Sequence, residues 1–383
     1  MNRAVAAAAA AMLGAGAWML AVSYGWRHGA LLPLGGLLGL ALYHAAFGFT
    51  AAWRALIVHG RGEALRAQLA MLALASALFL PALISGSLFG RPVTGAVAPA
   101  GVSVAVGAFL FGIGMQLGGG CASGTLFGLG GGSVRLLVTL AFFIAGSLLG
   151  TLHAPWWYAQ PSLGSVSLID ALGAGPALAV QFGAFAVLWL GSVAWQRRRS
   201  PVALSDDPSP PGARLLRGPW PVLWGAVALA LLNWATLALA GHPWSITFAF
   251  SLWGAKIAQA LGVGVAGWEF WTWPFPARAL ARGVAADGTS VMDAGIVLGA
   301  ALAAALAGRF RPVWGMPWRA LLASVIGGLL LGYGARLAFG CNIGALFSGI
   351  ASFSLHGWLW LATGLAGNWA GVRLRRSFGL SNG

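Results

Sequence analysis

The chain of 383 residues holds two cysteines, and both stand in the same pattern, G-C-x-x-G. The first is Gly120-Cys121-Ala122-Ser123-Gly124 and the second, 220 residues later, is Gly340-Cys341-Asn342-Ile343-Gly344. The likeness extends over Gly107–Phe127 and Gly327–Phe347, where ten of 21 positions are identical and five of those ten are glycine. Apolar bias alone does not repeat glycines and a cysteine in register, so this is an internal repeat. A thiol can donate a hydrogen bond or act as a nucleophile. Glycine costs about 1 kcal/mol inside a helix, so each apolar segment is expected to break just before its cysteine. A short helix restarting after each cysteine would place the thiol beside a helix N-terminus, where anions are favoured. The plainer alternative is close packing of glycines between helices, with cysteine as a small apolar filler. Duplication at matched positions favours a site.

The elements that carry these motifs belong in a membrane. Hydrophobic residues make up 59% of the chain and charged ones 8%, against about 25% charged in soluble domains. Mean hydropathy is +0.83. The pattern is polytopic and helical, since the alternation of a membrane barrel is absent. The net charge of +15 does not point to nucleic acid, because the arginines sit at segment ends, as orienting flanks do. Two cysteines so far apart give neither a disulfide framework nor a zinc pattern, and no nucleotide-binding motif is present. No cofactor and no metal is expected.

Spans are expected at 4–22, 30–50, 67–85, 97–117, 134–152, 177–195, 220–240, 245–266, 291–308, 319–338 and 354–372. The pieces 121–130 and 341–350 are too short to cross a bilayer, which takes about 20 residues; they are expected to be re-entrant. Residues 197–219, with their arginines, prolines and Ser205-Asp206-Asp207, form a hydrophilic linker between a first half (1–196) and a second (220–383). Five arginines around it argue for the cytoplasm. The same count of passes puts Arg373, Arg375 and Arg376 on the opposite side, so either one span is miscounted or the halves are inverted. The stretch Trp268–Arg278, with Glu269 and two prolines, is a place where the chain could bend into a cavity.

With these motifs in place, a family likeness emerges. GYGARLAFGCNIGALFSGIASFSLHGWLW (Gly332–Trp360) closely resembles the second signature of the YeeE/YedE family of bacterial inner-membrane proteins. GIGMQLGGGCASGTLFGLGGGS (Gly112–Ser133) resembles the first, and Ser251–Gly262 and Thr289–Ala300 are similar to the long, single-chain form. The resemblance implies transport of a small sulfur anion, thiosulfate above all, across the bacterial inner membrane. It implies a helical bundle open on both faces, with short re-entrant helices meeting centrally. In that picture an anion passes along cysteine thiols by successive S–H···anion hydrogen bonds, here from Cys121 and Cys341. It also brings in a cytoplasmic TusA-like sulfur-carrier protein as a partner. One departure stands out. Family members often carry a further cysteine in an F-C-F-x-x-x-x-R context, and here Phe47-Gly48-Phe49 leads to Arg54 with glycine at that place. A relay of three thiols would shorten to two, and a related sulfur or selenium oxyanion becomes a credible substrate.

The remaining candidates lie around the cysteines. Gln116 and Arg336 occupy matched repeat positions just before the breaks. Intramembrane arginine is costly and usually functional, and its guanidinium suits an oxyanion. Ser123 and Asn342 lie within two residues of a thiol and could donate to an anion or cap the short helix. Gly120 and Gly340 complete the expected substrate-binding set. Lys256 and Asp293 are expected to form a buried ion pair. His356 is expected to bond at a helix end. The expected fold is an all-α polytopic membrane protein of two pseudo-symmetric halves, with about 9–11 crossing helices and two re-entrant ones. The expected function is a non-enzymatic permease for a small sulfur anion, the rival being a membrane enzyme that passes sulfur through a cysteine persulfide or disulfide.

Overall fold

In hydrocarbon every backbone N–H and C=O must find its partner within the segment, so long uncharged runs fold as helices. The computed structural model describes residues 1–199 and 215–382, and among them nine helical stretches are long and apolar enough to cross a membrane. The chain is a multi-pass, all-α membrane protein. Its first half contains helices Arg3–Tyr24, Trp26–His44, Phe49–His59, Glu63–Ser85, Val102–Gly118, Ala122–Gly130, Val134–Tyr158 and Ala174–Arg199. The second contains Val222–Ala240, Thr247–Ala260, Gly288–Leu306, Trp318–Leu337 and Leu355–Leu374. Two small antiparallel ribbons tie loops together, Ser87–Leu88 with Arg91–Pro92 and Pro99–Gly101 with Ser162–Ser165. The linker expected at 197–219 lies largely outside the described residues.

One expected span fails. The stretch 245–266 holds a helix of 14 residues, Thr247–Ala260, about 21 Å long at 1.5 Å per residue against a hydrocarbon core of about 30 Å. The chain then continues in short turns through Glu269–Thr272 and Pro274–Ala281. Phe270, Trp271 and Leu280 are buried there in a second apolar cluster. Removing this crossing changes the parity of the passes. Accordingly Arg373 and Arg376 line the same cavity as Arg199, about 990 Å³ in volume, and the arginines that close both halves share one end of the bundle.

The glycines of the repeat bring the central helices together. A Cβ on Gly107 would lie 2.7 Å from the Gly334 carbonyl oxygen, and one on Gly114 would lie 2.8 Å from that of Gly327. Only glycine permits backbones this close. The two contacts exchange under the 220-residue offset, since Gly107 matches Gly327 and Gly114 matches Gly334. The flanking helices behave alike: Gly146 packs on Leu329, and Gly367 packs on Phe109, the matched position. A column of aromatic rings, Trp53, Trp360, Phe111, Phe143 and Phe250, fills the core beside this pair, with successive centroids 6.2, 5.4, 6.1 and 4.8 Å apart.

Candidate functional site

Each cysteine sits where the sequence places a break, at the N-cap of a short buried helix. The helix Val102–Gly118 stops because Gly119 takes a left-handed φ of +85°, a conformation costly for any residue with a Cβ. Cys121 then caps Ala122–Gly130, its Sγ accepting from the Gly124 N–H at 3.4 Å. At the matched place Phe339 is also left-handed, at +57°. Cys341 caps Asn342–Phe347, a π-helical stretch, and accepts from the Ile343 N–H at 3.4 Å. The two short helices touch each other. Both thiols are free and fully buried.

The groups around the thiols differ in how far their hydrogen bonding is met. Ser123 lies with its hydroxyl 3.4 Å from Cys121 Sγ, and Thr125 closes the first turn by donating to the Cys121 carbonyl at 2.8 Å. Asn342, beside Cys341, is fully buried with neither its oxygen nor its nitrogen partnered. A buried amide left unpaired costs roughly 1–3 kcal/mol per group, so this is a place where a polar ligand would be welcome. Gly340 is held from outside the motif by the Trp360 indole N–H, which donates to its carbonyl at 3.2 Å. Ser245 approaches Gly344 of the second motif and lines a cavity of about 600 Å³ that also meets Arg278, Arg282 and Arg336.

Gln116 and Arg336, matched in sequence, have different surroundings. Gln116 is fully buried and donates to the Thr50 carbonyl at 3.0 Å and to Asn368 Oδ1 at 2.7 Å, while accepting from Arg54 at 3.3 Å. Arg336 lies against the Phe270 ring, 4.9 Å from its centroid, with its Nε unpartnered. The buried pair expected between Lys256 and Asp293 is absent. Lys256 Nζ donates to the Leu280 carbonyl, while Asp293 is fully buried with both oxygens unpartnered. Lys256 is held by the short helix Pro274–Ala281, which carries Leu280, and not by Asp293. His356 meets its expectation by bonding Ser354 Oγ at 2.6 Å at the start of the last helix.

Residues 44–370 match the sulphur transport family. The chain belongs to that family, the YeeE/YedE family. Among its relatives, the "Probable transporter YedE" of Escherichia coli strain K12 is 31% identical over 156 residues, 40% of this chain and 37% of that protein. The chain thus spans little more than a third of the YedE relatives it matches. The "Thiosulfate transporter TsuA" of Spirochaeta thermophila is 29% identical over 69% of this chain and 74% of its own length. TsuA of Escherichia coli is 25% identical over 88% and 92% respectively.

Sequence reasoning did not single out Trp360, Ser245 or Arg135, and it took Arg54 and Arg375 only as a motif residue and an end charge, not as neighbours of Gln116. Trp360 lies inside the quoted family signature, but nothing in its spacing says that its indole reaches back 20 residues.

Proposed function

We propose that this chain is a bacterial inner-membrane permease for thiosulfate or a closely related small sulfur anion, which passes along Cys121 and Cys341. One observation carries the reading. Both thiols of the repeat cap short, touching helices in the buried centre of the bundle, and the amide of Asn342 beside one of them has no partner. A thiol that keeps its proton donates to an anion, and the helix N-termini add positive potential. A weak S–H donor suits passage, which needs binding favourable enough to enter and loose enough to leave. No bond to sulfur need form or break. Ser123 and Asn342 supply further hydrogen bonds, and Gly120 and Gly340 let the backbone approach the ion.

The short helices act as re-entrant pieces of two inverted halves in this proposal. Support comes from the exchanged contacts Gly107–Gly334 and Gly114–Gly327, which a two-fold axis in the membrane plane would generate. The names of the TsuA relatives favour thiosulfate over a selenium oxyanion. The TusA-like carrier suggested by the family finds no support in those names, and the proposal does not use it. The test is uptake of ³⁵S-thiosulfate into proteoliposomes holding only the purified full chain. Uptake well above empty liposomes supports the reading, and uptake equal to empty liposomes contradicts it.

A further inference from the structure

Three arginines converge on the end of the helix that leads into Cys121. Arg375 Nη1 donates to the Gln116 carbonyl at 2.7 Å, Arg135 Nη2 to the Leu117 carbonyl at 2.6 Å, and Arg54 Nη1 to the Gln116 side chain at 3.3 Å. Their own helices lie far apart in sequence, so the fold gathers them. The only salt bridge among the described residues joins Glu63 to Arg66; no carboxylate there answers any of the three.

Capping accounts for part of this. A helix C-terminus carries about half a negative charge, which one cation answers. Three full charges exceed it and repel one another. Burial first, and then Arg54 and Arg135, push the Arg375 guanidinium down to about 10. Such a cluster is out of balance until an anion joins it.

Two further observations point to a ligand. A cavity of about 610 Å³ opens on Arg135 and Arg375, with Arg311, Ser133 and Ser381 also on its wall. In the same knot, Asn368 Nδ2 and the Thr50 hydroxyl are buried without a partner, although both residues bond Gln116 through other atoms. The cluster also adjoins the break: the Arg135 guanidinium lies 3.3 Å from where a Cβ on Gly119 would be, two residues before Cys121.

We propose that Arg54, Arg135 and Arg375 form a binding site for a small, doubly charged oxyanion, which on the transport reading above is the station next to Cys121 at the arginine-rich end of the bundle. The site reads charge and shape through its guanidinium forks, so sulfate, which lacks the terminal sulfur of thiosulfate, binds it as well. Selection for sulfur is left to the thiols.

The test is thermal unfolding of the purified full chain in detergent, titrated with sodium sulfate or sodium thiosulfate against sodium chloride at matched ionic strength. Both divalent anions are expected to raise the midpoint of the wild type. In Arg135→Gln/Arg375→Gln the response should move to at least about tenfold higher anion concentration, the effect of losing a hydrogen bond to a charged group. Should that double variant not fold, Arg54→Gln alone, which removes a single hydrogen bond to the Gln116 side chain, should weaken the response in the same direction. Arginines that merely cap the helix would lower the starting midpoint and leave the anion response unchanged; that result overturns the proposal, as does a wild type indifferent to both anions. An arginine-dependent response in a protein that moves no thiosulfate would uphold this site while contradicting the transport reading.

Discussion

The indole N–H of Trp360 donates to the carbonyl of Gly340, 3.2 Å away and one residue before Cys341. Gly340 sits at φ +152°, so its peptide is unsupported by any regular helix, and Trp360 fixes its direction. Trp360 also packs between Trp53 and Phe111 in tilted and edge-on contacts, which lets the ring and its hydrogen bond be separated. Trp360→Phe keeps the ring and removes the donor. Loss of one neutral hydrogen bond, about 0.5–1.5 kcal/mol, should lower thiosulfate uptake two- to twelvefold at matched protein. Wild-type uptake in this variant would mean that the bond only supports packing.

The central helix pair makes a prediction about stability. Gly107→Ala places a methyl group 2.7 Å from a backbone oxygen of the facing helix, which cannot move as a side chain can. Overpacking of this kind costs about 1–3 kcal/mol. Gly14, with nothing within 4 Å of an added Cβ, should accept alanine without loss. Midpoints of thermal unfolding in detergent compare the two; equal midpoints would remove the close-approach argument.

On the family resemblance, Gly48 is expected to stand at the place of a further cysteine. It caps the helix Phe49–His59 in an extended conformation, φ −119° and ψ 124°, and an added Cβ would meet only the Ala46 carbonyl oxygen, 3.9 Å away. Side chains therefore fit. Gly48→Ala should leave uptake unchanged, while Gly48→Cys should lower the apparent Michaelis constant for thiosulfate about tenfold, as one more hydrogen bond to a charged ion would. Equal impairment by both substitutions would show that the position packs rather than binds.

Arg199, Arg373 and Arg376 share a cavity, and clustered arginines mark the cytoplasmic side. Alkaline phosphatase fused after Ser205 and after Ser377 should be inactive at both places. Strong activity at either one would separate the two ends and restore the crossing that the helix Thr247–Ala260 is too short to make.

Much of this architecture was legible because the repeat and the apolar runs are local signals. The break before Cys121 follows from glycine chemistry, whereas the matched break before Cys341 turns at Phe339. Nine of the eleven expected spans fall on helical stretches long and apolar enough to cross a membrane, and a tenth falls on the 20-residue helix Leu355–Leu374. The eleventh failed because hydropathy does not register where a helix ends; Leu261 to Gly267 is as apolar as a span and yet turns. The sequence pointed to the two cysteines, which the fold places as buried helix N-caps, but not to how the charges around them are arranged. Lys256 and Asp293 looked like a pair because opposite charges are scarce in apolar sequence, but pairing depends on which way each helix faces. Arg54, Arg135 and Arg375 come from three helices far apart in sequence, and only the folded chain brings Arg135 and Arg375 to neighbouring carbonyls and Arg54 to the Gln116 side chain.

The central claim is that both thiols touch the passing ion, and single substitutions test it most directly. Initial rates of ³⁵S-thiosulfate uptake would be measured in proteoliposomes carrying Cys121→Ala, Cys341→Ala, Cys121→Ser and Cys341→Ser at equal protein. The account predicts that either alanine reduces uptake at least tenfold, a lost hydrogen bond to an ion being worth about 1.5–3 kcal/mol, and that serine restores part of it because a hydroxyl still donates. Wild-type rates in both alanine variants would contradict the account.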